Sequence, residues 1–383
     1  MNPAVHPEFI LVRSVNWLGD AVMTTPALLS LRRAYPSASI SILCPDKIAE
    51  LWWKFPGVDE TLSFSPDESL WKIASKLKQR RFDLGIIFPN SFRTALEMAL
   101  GNVRERVGFA TNGRGFFLTK SVPRPRLHKL MRKRGEREIQ ARLRSSSVRE
   151  SFPSEAHHSN HYLELVGAAG VETSLRAPRL VCDPTEIRGF ADRFLLQSGA
   201  VSERPFFGIN PGAEYGPAKR WPGQLFAEVA SQLMLAEQMD CVIFGGPGDA
   251  PIAQSIETGI RTRMGRDLSS PRVINLAGQT SLRELMAGIR QSQVFLTNDS
   301  GPMHLAAALG TPLVAVFGST SPELTGPGLN GDSQAEVVTG SAACAPCFLR
   351  ECPVDFRCMT SVSPEAVVQA LRRSLTASKK ILR

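Results

Sequence analysis

The stretch TNDSGPMHLAAALGTPLVAVF (Thr297–Phe317) holds, in one run, the end of a strand, a polar loop, a helix and the next strand. Val294–Thr297 and Leu313–Phe317 are dominated by apolar residues, as strands buried on both faces are. Pro302–Leu309 fits a helix entered through a proline suited to the first turn. Strand, crossover helix and strand in that order build a parallel sheet covered by helices. Asn298, Asp299 and Ser300 are capping residue types at the helix entrance. There the free N–H groups and the positive end of the dipole suit an anion such as a phosphate.

Working outward, the same alternation recurs on both sides. Upstream in the same half come helix Ile187–Leu196, strand Phe206–Ile209, helix Gln224–Glu237 and strand Cys241–Phe244. Helix Ala250–Ile260, strand Val273–Leu276 and helix Leu282–Arg290 lead into the opening stretch. The first half repeats the theme: strand Phe9–Arg13, helix Ala21–Ala34, strand Ser39–Cys44, and a Trp-bearing helix at Ile48–Lys54. Thr61–Phe64, helix Leu70–Gln79, strand Leu84–Phe88 and helix Ser91–Leu100 follow, and the pattern stops near Gly113. A helix at Tyr162–Ala169 precedes the second start, and a last helix, Pro364–Leu375, opens at Ser363 as its cap. The expected fold class is α/β, two doubly wound Rossmann-like domains facing across a cleft. The expected division is 1–183 with a basic insert at 113–158, then 184–363, then a C-terminal helix, 364–383, packing back on the first domain. A chain of 383 residues is long for one core, which agrees with two.

The formal charge of +9 has one address. Residues 113–150 hold twelve Lys/Arg: Arg114, Lys120, Arg124, Arg126, Lys129, Arg132, Lys133, Arg134, Arg137, Arg142, Arg144 and Arg149. Only Glu136, Glu138 and Glu150 oppose them, so the rest of the chain is formally neutral. Two readings of this insert stay open: a mobile, solvated loop, or attraction to an anionic membrane surface. Nucleic acid is not expected, because no aromatic stacking residues are interleaved with the cations. With 43% hydrophobic and 21% charged residues the composition excludes a disordered or fibrous chain. Neither a secretory signal nor a run of about 18 apolar residues is seen, so a cytoplasmic protein is expected. Seven cysteines do not read as a secreted disulfide framework. Cys344, Cys347, Cys352 and Cys358 cluster, and reduced thiols, a structural zinc and a disulfide all remain open there, although the spacing is not two paired knuckles.

In doubly wound sheets ligands bind where strands run into helices. Four such loops stand out. Ser14-Val15-Asn16-Trp17-Leu18-Gly19-Asp20 is neither a dinucleotide fingerprint nor a P-loop, and Asp20 reads either as a helix cap or as a general base. Asn210–Pro222 is long for such a loop, and Lys219 and Arg220 in it suit a diphosphate unless they are merely solvated. Thr297–His304 adds His304, either a core residue or a donor to the same phosphate. Phe244–Asp249 brings Gly245 and Gly246, a tight turn or a close approach to a ligand. A carboxylate in one domain, with cations and helix N-termini in the other, is the layout of a transferase that displaces a nucleoside diphosphate from a sugar.

Four motifs carry a family resemblance: NWLGDAVMTTPAL (Asn16–Leu28), PNSFRTAL (Pro89–Leu96), PGAEYGPAKRWP (Pro211–Pro222) and TNDSGPMHLAAALGTPLVAVFGSTSP (Thr297–Pro322). In this order and over both domains the chain resembles the bacterial ADP-heptose:lipopolysaccharide heptosyltransferases of glycosyltransferase family 9, GT-B in fold, and within them the heptosyltransferase II group. The resemblance implies an inverting transfer of heptose from ADP-heptose to the inner-core heptose of a lipid A-linked acceptor. It implies Asp20 as base and Lys219 at the diphosphate, with Asp299, Ser300, Gly301 and His304 along the donor. Asn16, Gly19, Gly212, Arg220, Gly245, Gly246 and Asn298 are further expected at the substrates. No cofactor is required by it. A family 9 transferase with another donor or acceptor position, and a nucleotide-sugar-binding protein without turnover, are the alternatives. Peripheral contact with the inner face of the inner membrane is the expected setting.

Overall fold

The computed structural model describes residues 6–124, 131–145, 148–196, 204–265, 271–327 and 334–381. Arg126 and Lys129 of the basic stretch lie outside them. The chain divides into two compact units, one of Met1–Lys129 with Glu155–Val181, the other of Leu130–Ser154 with Cys182–Arg383.

In the first unit, β1 (Phe9–Arg13), β2 (Ser39–Pro45), β3 (Glu60–Phe64), β4 (Leu84–Ile87), β5 (Glu105–Phe109) and β6 (Lys120–Val122) form a parallel sheet in the order β3-β2-β1-β4-β5-β6. The chain leaves β1 toward β2 and β3, then returns to β1's other side for β4. That makes the β1/β4 boundary the switch point where loops diverge and a crevice opens. The helix expected over Ala21–Ala34 is two, α1 (Leu18–Met23) and α2 (Thr25–Ala34). Pro26 has no N–H to continue the ladder, and the Thr24 and Thr25 hydroxyls donate back to the carbonyls of Ala21 and Val22 at 2.7 and 2.8 Å. Asp46–Trp52 is a 3-10 helix rather than an α-helix. The sheet does not stop near Gly113: β5 and β6 carry it on, joined by the 3-10 turn Arg114–Phe117. α3 (Leu70–Lys78) and α4 (Phe92–Leu100), capped by Ser69 and Ser91, pack side by side, and α4 also packs on that 3-10 turn.

Within the second unit, α5 (Glu136–Arg144) belongs to the basic stretch, and α6 (His158–Ala168) returns to the first unit against α1 and α2. α7 (Pro184–Phe190) then opens the second sheet, β7 (Phe206–Asn210), β8 (Asp240–Ile243), β9 (Val273–Asn275), β10 (Phe295–Asn298), β11 (Leu313–Phe317) and β12 (Ala335–Thr339). Its order is β12-β11-β10-β7-β8-β9, all parallel, with its switch point between β7 and β10. The helices are α8 (Gly223–Glu237), α9 (Ala250–Met264), α10 (Leu282–Gln291), α11 (Gly301–Leu309), α12 (Pro322–Thr325), α13 (Arg357–Thr360) and α14 (Pro364–Ile381). Ser363 accepts from the Ala366 N–H, as its capping role requires, and α14 packs on α8, β11 and β12.

Of the two readings left open for the basic stretch, the mobile, solvated loop does not describe residues 131–145 and 148–154. Residues 131–145 and 148–154 are ordered on the second unit, where Ile139 enters the core beside Phe207 and Trp221. Arg134 is 5% exposed and donates to the Cys344 carbonyl at 2.8 Å and to Glu150, while its backbone N–H reaches Cys347. Arg142 donates to the Ala343 carbonyl, and Arg149 to the carbonyls of Thr320 and Gly318. These cations are ligands of protein carbonyls. The loop is a strap.

Candidate active site

At the switch point of the first sheet, the loops after β1 and β4 line a pocket of about 290 Å³ whose polar wall includes Asn16, Asp20, Asn90, Arg124 and His158. Trp17, Phe88, Phe109 and Tyr162 supply aromatic surface to the same pocket. Asp20 is not the cap of α1. The backbone of Trp17 holds that position, and Asp20 stands in the first turn with its side chain 32% exposed, where the helix dipole favours an anion. Gly19 precedes it in the same turn. His158 Nδ1 lies 3.9 Å from the Asp20 carboxylate, and α6 carries both it and Tyr162. Burial, and then the Asp20 charge, push the Tyr162 phenol well above its usual value.

Two buried arginines fix the walls. Arg13 bonds Glu97 at 3.0 Å, the Ser14 carbonyl at 2.6 Å and the Asn16 side chain at 3.4 Å, and burial holds its pKa below the ordinary range. Arg114 is wholly buried and donates to the carbonyls of Phe109 and Pro89 and to the Asn90 side chain. Burial lowers its guanidinium to about 10.

At the second switch point the loops after β7 and β10 meet. Asn298 is fully buried, and its amide holds them together by donating to the Pro211 carbonyl at 2.7 Å and accepting from the Trp221 N–H at 3.0 Å. Asp299 is 3% exposed. It receives the Lys219 ammonium at 2.6 Å and the Thr320 hydroxyl at 2.5 Å, so the cation expected at a diphosphate is aimed by a carboxylate. Lys219 also lies 5.0 Å above the Tyr215 ring, with Arg350 at 5.2 Å from the same ring. Ser300 is the cap residue of α11, yet its hydroxyl bonds Thr297 and not the helix N–H groups. The start of α11 at Gly301 therefore keeps backbone donors that no side chain of the cap occupies, and His304 sits mostly buried one turn in.

Arg220 reaches the Ala213 carbonyl and lies 3.7 Å from Asp249. Asp249 accepts from the Gly246 N–H at 3.1 Å, and a Cβ at Gly212 would overlap its carboxylate, so Gly212, Gly245, Gly246 and Arg220 share one corner. The Lys219 loop rests on the cysteine-rich segment. Tyr215 donates to the Phe348 carbonyl at 2.7 Å, the Ala218 N–H to the Arg350 carbonyl at 2.9 Å, and the Trp221 indole to Val362 at 3.1 Å.

All seven cysteines are free thiols, so no disulfide joins the cluster. Cys344, Cys347, Cys352 and Cys358 line one cavity beneath Ala218 and Ile139. Among the described residues no group of three or more His, Cys, Asp or Glu is arranged to hold a metal ion. Burial, then the neighbouring thiols, push Cys358 up to about 12.

Sequence reasoning did not single out His158, Asn90, Arg124, Tyr215, Asp249 or Thr320. Thr320 and Asn90 follow strands β11 and β4 and were open to the same rule that found the other loops. His158, the last residue of the expected insert and the first of α6, carried no such signal.

Two doubly wound units, one with a carboxylate in a sugar-sized polar and aromatic pocket, the other with an aimed cation beside a helix N-terminus, define a GT-B-type glycosyltransferase. The model of glycosyltransferase family 9 (heptosyltransferase) matches residues 70–356. Lipopolysaccharide heptosyltransferase 2 of Escherichia coli is 30% identical over 338 residues, 86% of this chain and 88% of that protein. The enzyme of that name from Salmonella typhimurium is 30% identical over 342 residues, with the same two shares. The solved structure of Escherichia coli ADP-heptose lipopolysaccharide heptosyltransferase II superposes with a TM-score of 0.74 at 27% identity, covering 97% of this chain and 99% of that one. The chain belongs to glycosyltransferase family 9, the heptosyltransferases. Among the described residues no helix is long and apolar enough to cross a membrane.

Proposed function

We propose that this enzyme moves heptose from ADP-heptose to the heptose already on the lipopolysaccharide inner core, with inversion at the transferred carbon. The first unit takes the acceptor and the second takes the donor. Asp20 accepts the proton of the acceptor hydroxyl as its oxygen attacks the anomeric carbon, and the bond from that carbon to the diphosphate breaks on the opposite face. ADP leaves with the bonding pair. Lys219, Arg220 and the N–H groups at the start of α11 meet its growing negative charge, with Asp299 and Thr320 holding Lys219 in line. Because side-chain cations and backbone donors supply the positive charge, the transfer in this reading uses no cofactor. A lipid-linked acceptor places the enzyme peripherally at the inner face of the inner membrane.

The observation that carries the reading is Asp20, one-third exposed on the wall of a pocket that amides, imidazoles, the Arg124 side chain and aromatic rings also line. The test is ADP release with ADP-heptose and a heptosylated Kdo-lipid A acceptor. Asp20→Ala is expected to lower kcat by about 10²–10⁴-fold while the protein stays folded. Near-normal turnover in that variant would remove Asp20 as base. Turnover only with unheptosylated acceptor would reassign the acceptor position and leave the chemistry intact.

A further inference from the structure

The first unit keeps several large aromatic side chains in water. Phe116 is 90% exposed, Trp71 70% and Phe92 46%. Scattered singly such residues need no explanation, but these are joined. The Phe92 and Phe116 rings meet that of Phe117 edge-to-face at 5.1 and 5.6 Å. Arg93, next to Phe92, donates to the Glu68 carbonyl at 2.9 Å, which ties the start of α4 to the turn that leads into α3 and Trp71. α3 turns Ile73, Ala74 and Leu77 inward and Trp71, Lys72, Ser75 and Lys78 outward.

The charge on this face is one-sided. Of the eleven Lys/Arg in residues 70–124, Arg114 and Arg106 hold carbonyls and Lys76, Arg80 and Arg93 pair with Glu68, Glu60 and Glu97, while Lys72 and Lys78 point outward beside Trp71. The same residues hold three acids, Asp83, Glu97 and Glu105. Two of the three are engaged within the fold: Asp83 caps the backbone N–H groups of Glu8 and Phe9, and Glu97 is buried between Arg13 and Arg93. An amphipathic helix with outward Trp and Lys, flanked by exposed Phe, matches the chemistry of a bilayer interface bearing anionic lipid.

The face also has a fixed relation to the pocket. α3 and α4 start at the same rim of the sheet as α1, and Phe92 follows the pocket residue Asn90 by one turn residue, Ser91. Arg114, in the turn that carries Phe116, clamps the Pro89 carbonyl and the Asn90 side chain; Thr111 and Asn112 donate to the Asn90 carbonyl.

We propose that the aromatic and basic face built by α3, the start of α4 and the turn Arg114–Phe117 docks on an anionic bilayer surface, and so brings the Asp20 pocket to an acceptor held in that membrane. The role for the pocket rests on the lipid-linked acceptor of the preceding reading; the docking itself does not.

The test is sedimentation of the full chain with vesicles of equal parts phosphatidylglycerol and phosphatidylcholine, and with phosphatidylcholine alone. The expected result is binding to the anionic vesicles, weaker binding to the neutral ones, and about a tenfold loss of partition in Trp71→Ala/Phe116→Ala. Both side chains are exposed, so the thermal midpoint should hold; Phe116→Ser alone serves if the double variant unfolds, with a smaller loss in the same direction. ADP release from a lipid-free oligosaccharide acceptor should not change, while KM for vesicle-borne acceptor should rise. Wild type that ignores anionic vesicles, or a variant that binds them as wild type does, overturns the proposal. So does a dimer that the substitutions dissolve without changing vesicle binding, which would make the face a contact between copies. Loss of vesicle binding in a protein that releases no ADP with either acceptor sinks the transfer reading and leaves the docking.

Discussion

Two regions of this protein are rich in arginine and lysine, and they use charge in opposite ways. In the strap, residues 131–154, Arg134, Arg142 and Arg149 turn into the second unit and donate to the carbonyls of Cys344, Ala343, Gly318 and Thr320. On the face of 70–124, Lys72 and Lys78 lean outward beside Trp71 with no acid of their own helix between them. A guanidinium has five donors in a fixed fork and can satisfy several carbonyls at once, which suits it to the inside of a loop cluster. An ammonium on a flexible stem stays hydrated and acts on its surroundings as a point charge. The strap's buried arginines organise polypeptide, as Arg114 does in the first unit, and Lys72 and Lys78 point outward to act on what lies outside.

The largest expected effect tests the inward half of that contrast. Arg134→Ala leaves the Cys344 carbonyl and Glu150 without their donor in a site that is 5% exposed. A loss of about 3 kcal/mol in urea unfolding is expected, with vesicle partition unchanged. Lys133→Ala, one residue away and exposed, should stay within about 0.5 kcal/mol of wild type. Unaltered stability with weakened vesicle binding in Arg134→Ala would reverse the assignment of the two regions.

The sequence made some of this legible and hid the rest for definite reasons. Buried parallel strands such as β1, β10 and β11 announce themselves because both faces are apolar. β6 (KSV) and β12 (AEVVT) are short edge strands with mixed exposure, and no such run marks them. Lys219 and Asp299 stood in motifs that named them. Their mutual contact, and the place of Thr320 beside them, could be seen only once β7, β10 and β11 lay side by side. Asp20 stood open between a helix cap and a base because aspartate favours the cap position, yet a tryptophan backbone holds that position. The strap was hardest of all: Arg134 finds its carbonyl 210 residues away, and nothing near it in sequence tells that partner from water.

The thiols under the strap give a middle-sized effect with a defined sign. Cys358 is pushed from its ordinary value near 9 to about 12, chiefly by burial. Its raised pKa means that the fold favours the neutral thiol. The associated stability is therefore complete below pH 9 and lost as pH rises from 9 toward 12. Cys358 should remove about 1.4 kcal/mol of stability per pH unit in that window. Unfolding measured at pH 8 and pH 10 should show the loss, and Cys358→Ala should make it shallower by about one thiol's share. Zinc near one per chain in the purified protein would replace this picture with thiolates and remove the slope.

The smallest effect probes the outward half. If Lys72 and Lys78 act on an anionic surface through solvent, each contributes at most about 1 kcal/mol near the membrane, and the contribution falls within a Debye length of roughly 8 Å at physiological salt. Lys72→Ala/Lys78→Ala should therefore weaken partition onto phosphatidylglycerol vesicles several-fold at low salt. Near 0.5 M salt the difference should shrink toward nothing, because both proteins then rely on Trp71 and Phe116. Unfolding free energy should not move, since neither lysine holds a carbonyl as Arg134 does. Salt thus separates the two kinds of cation: a strap arginine buried against carbonyls keeps its effect at high ionic strength, and a face lysine loses it. A lysine pair whose removal costs stability, or whose effect on vesicles survives high salt, would place α3 with the strap instead.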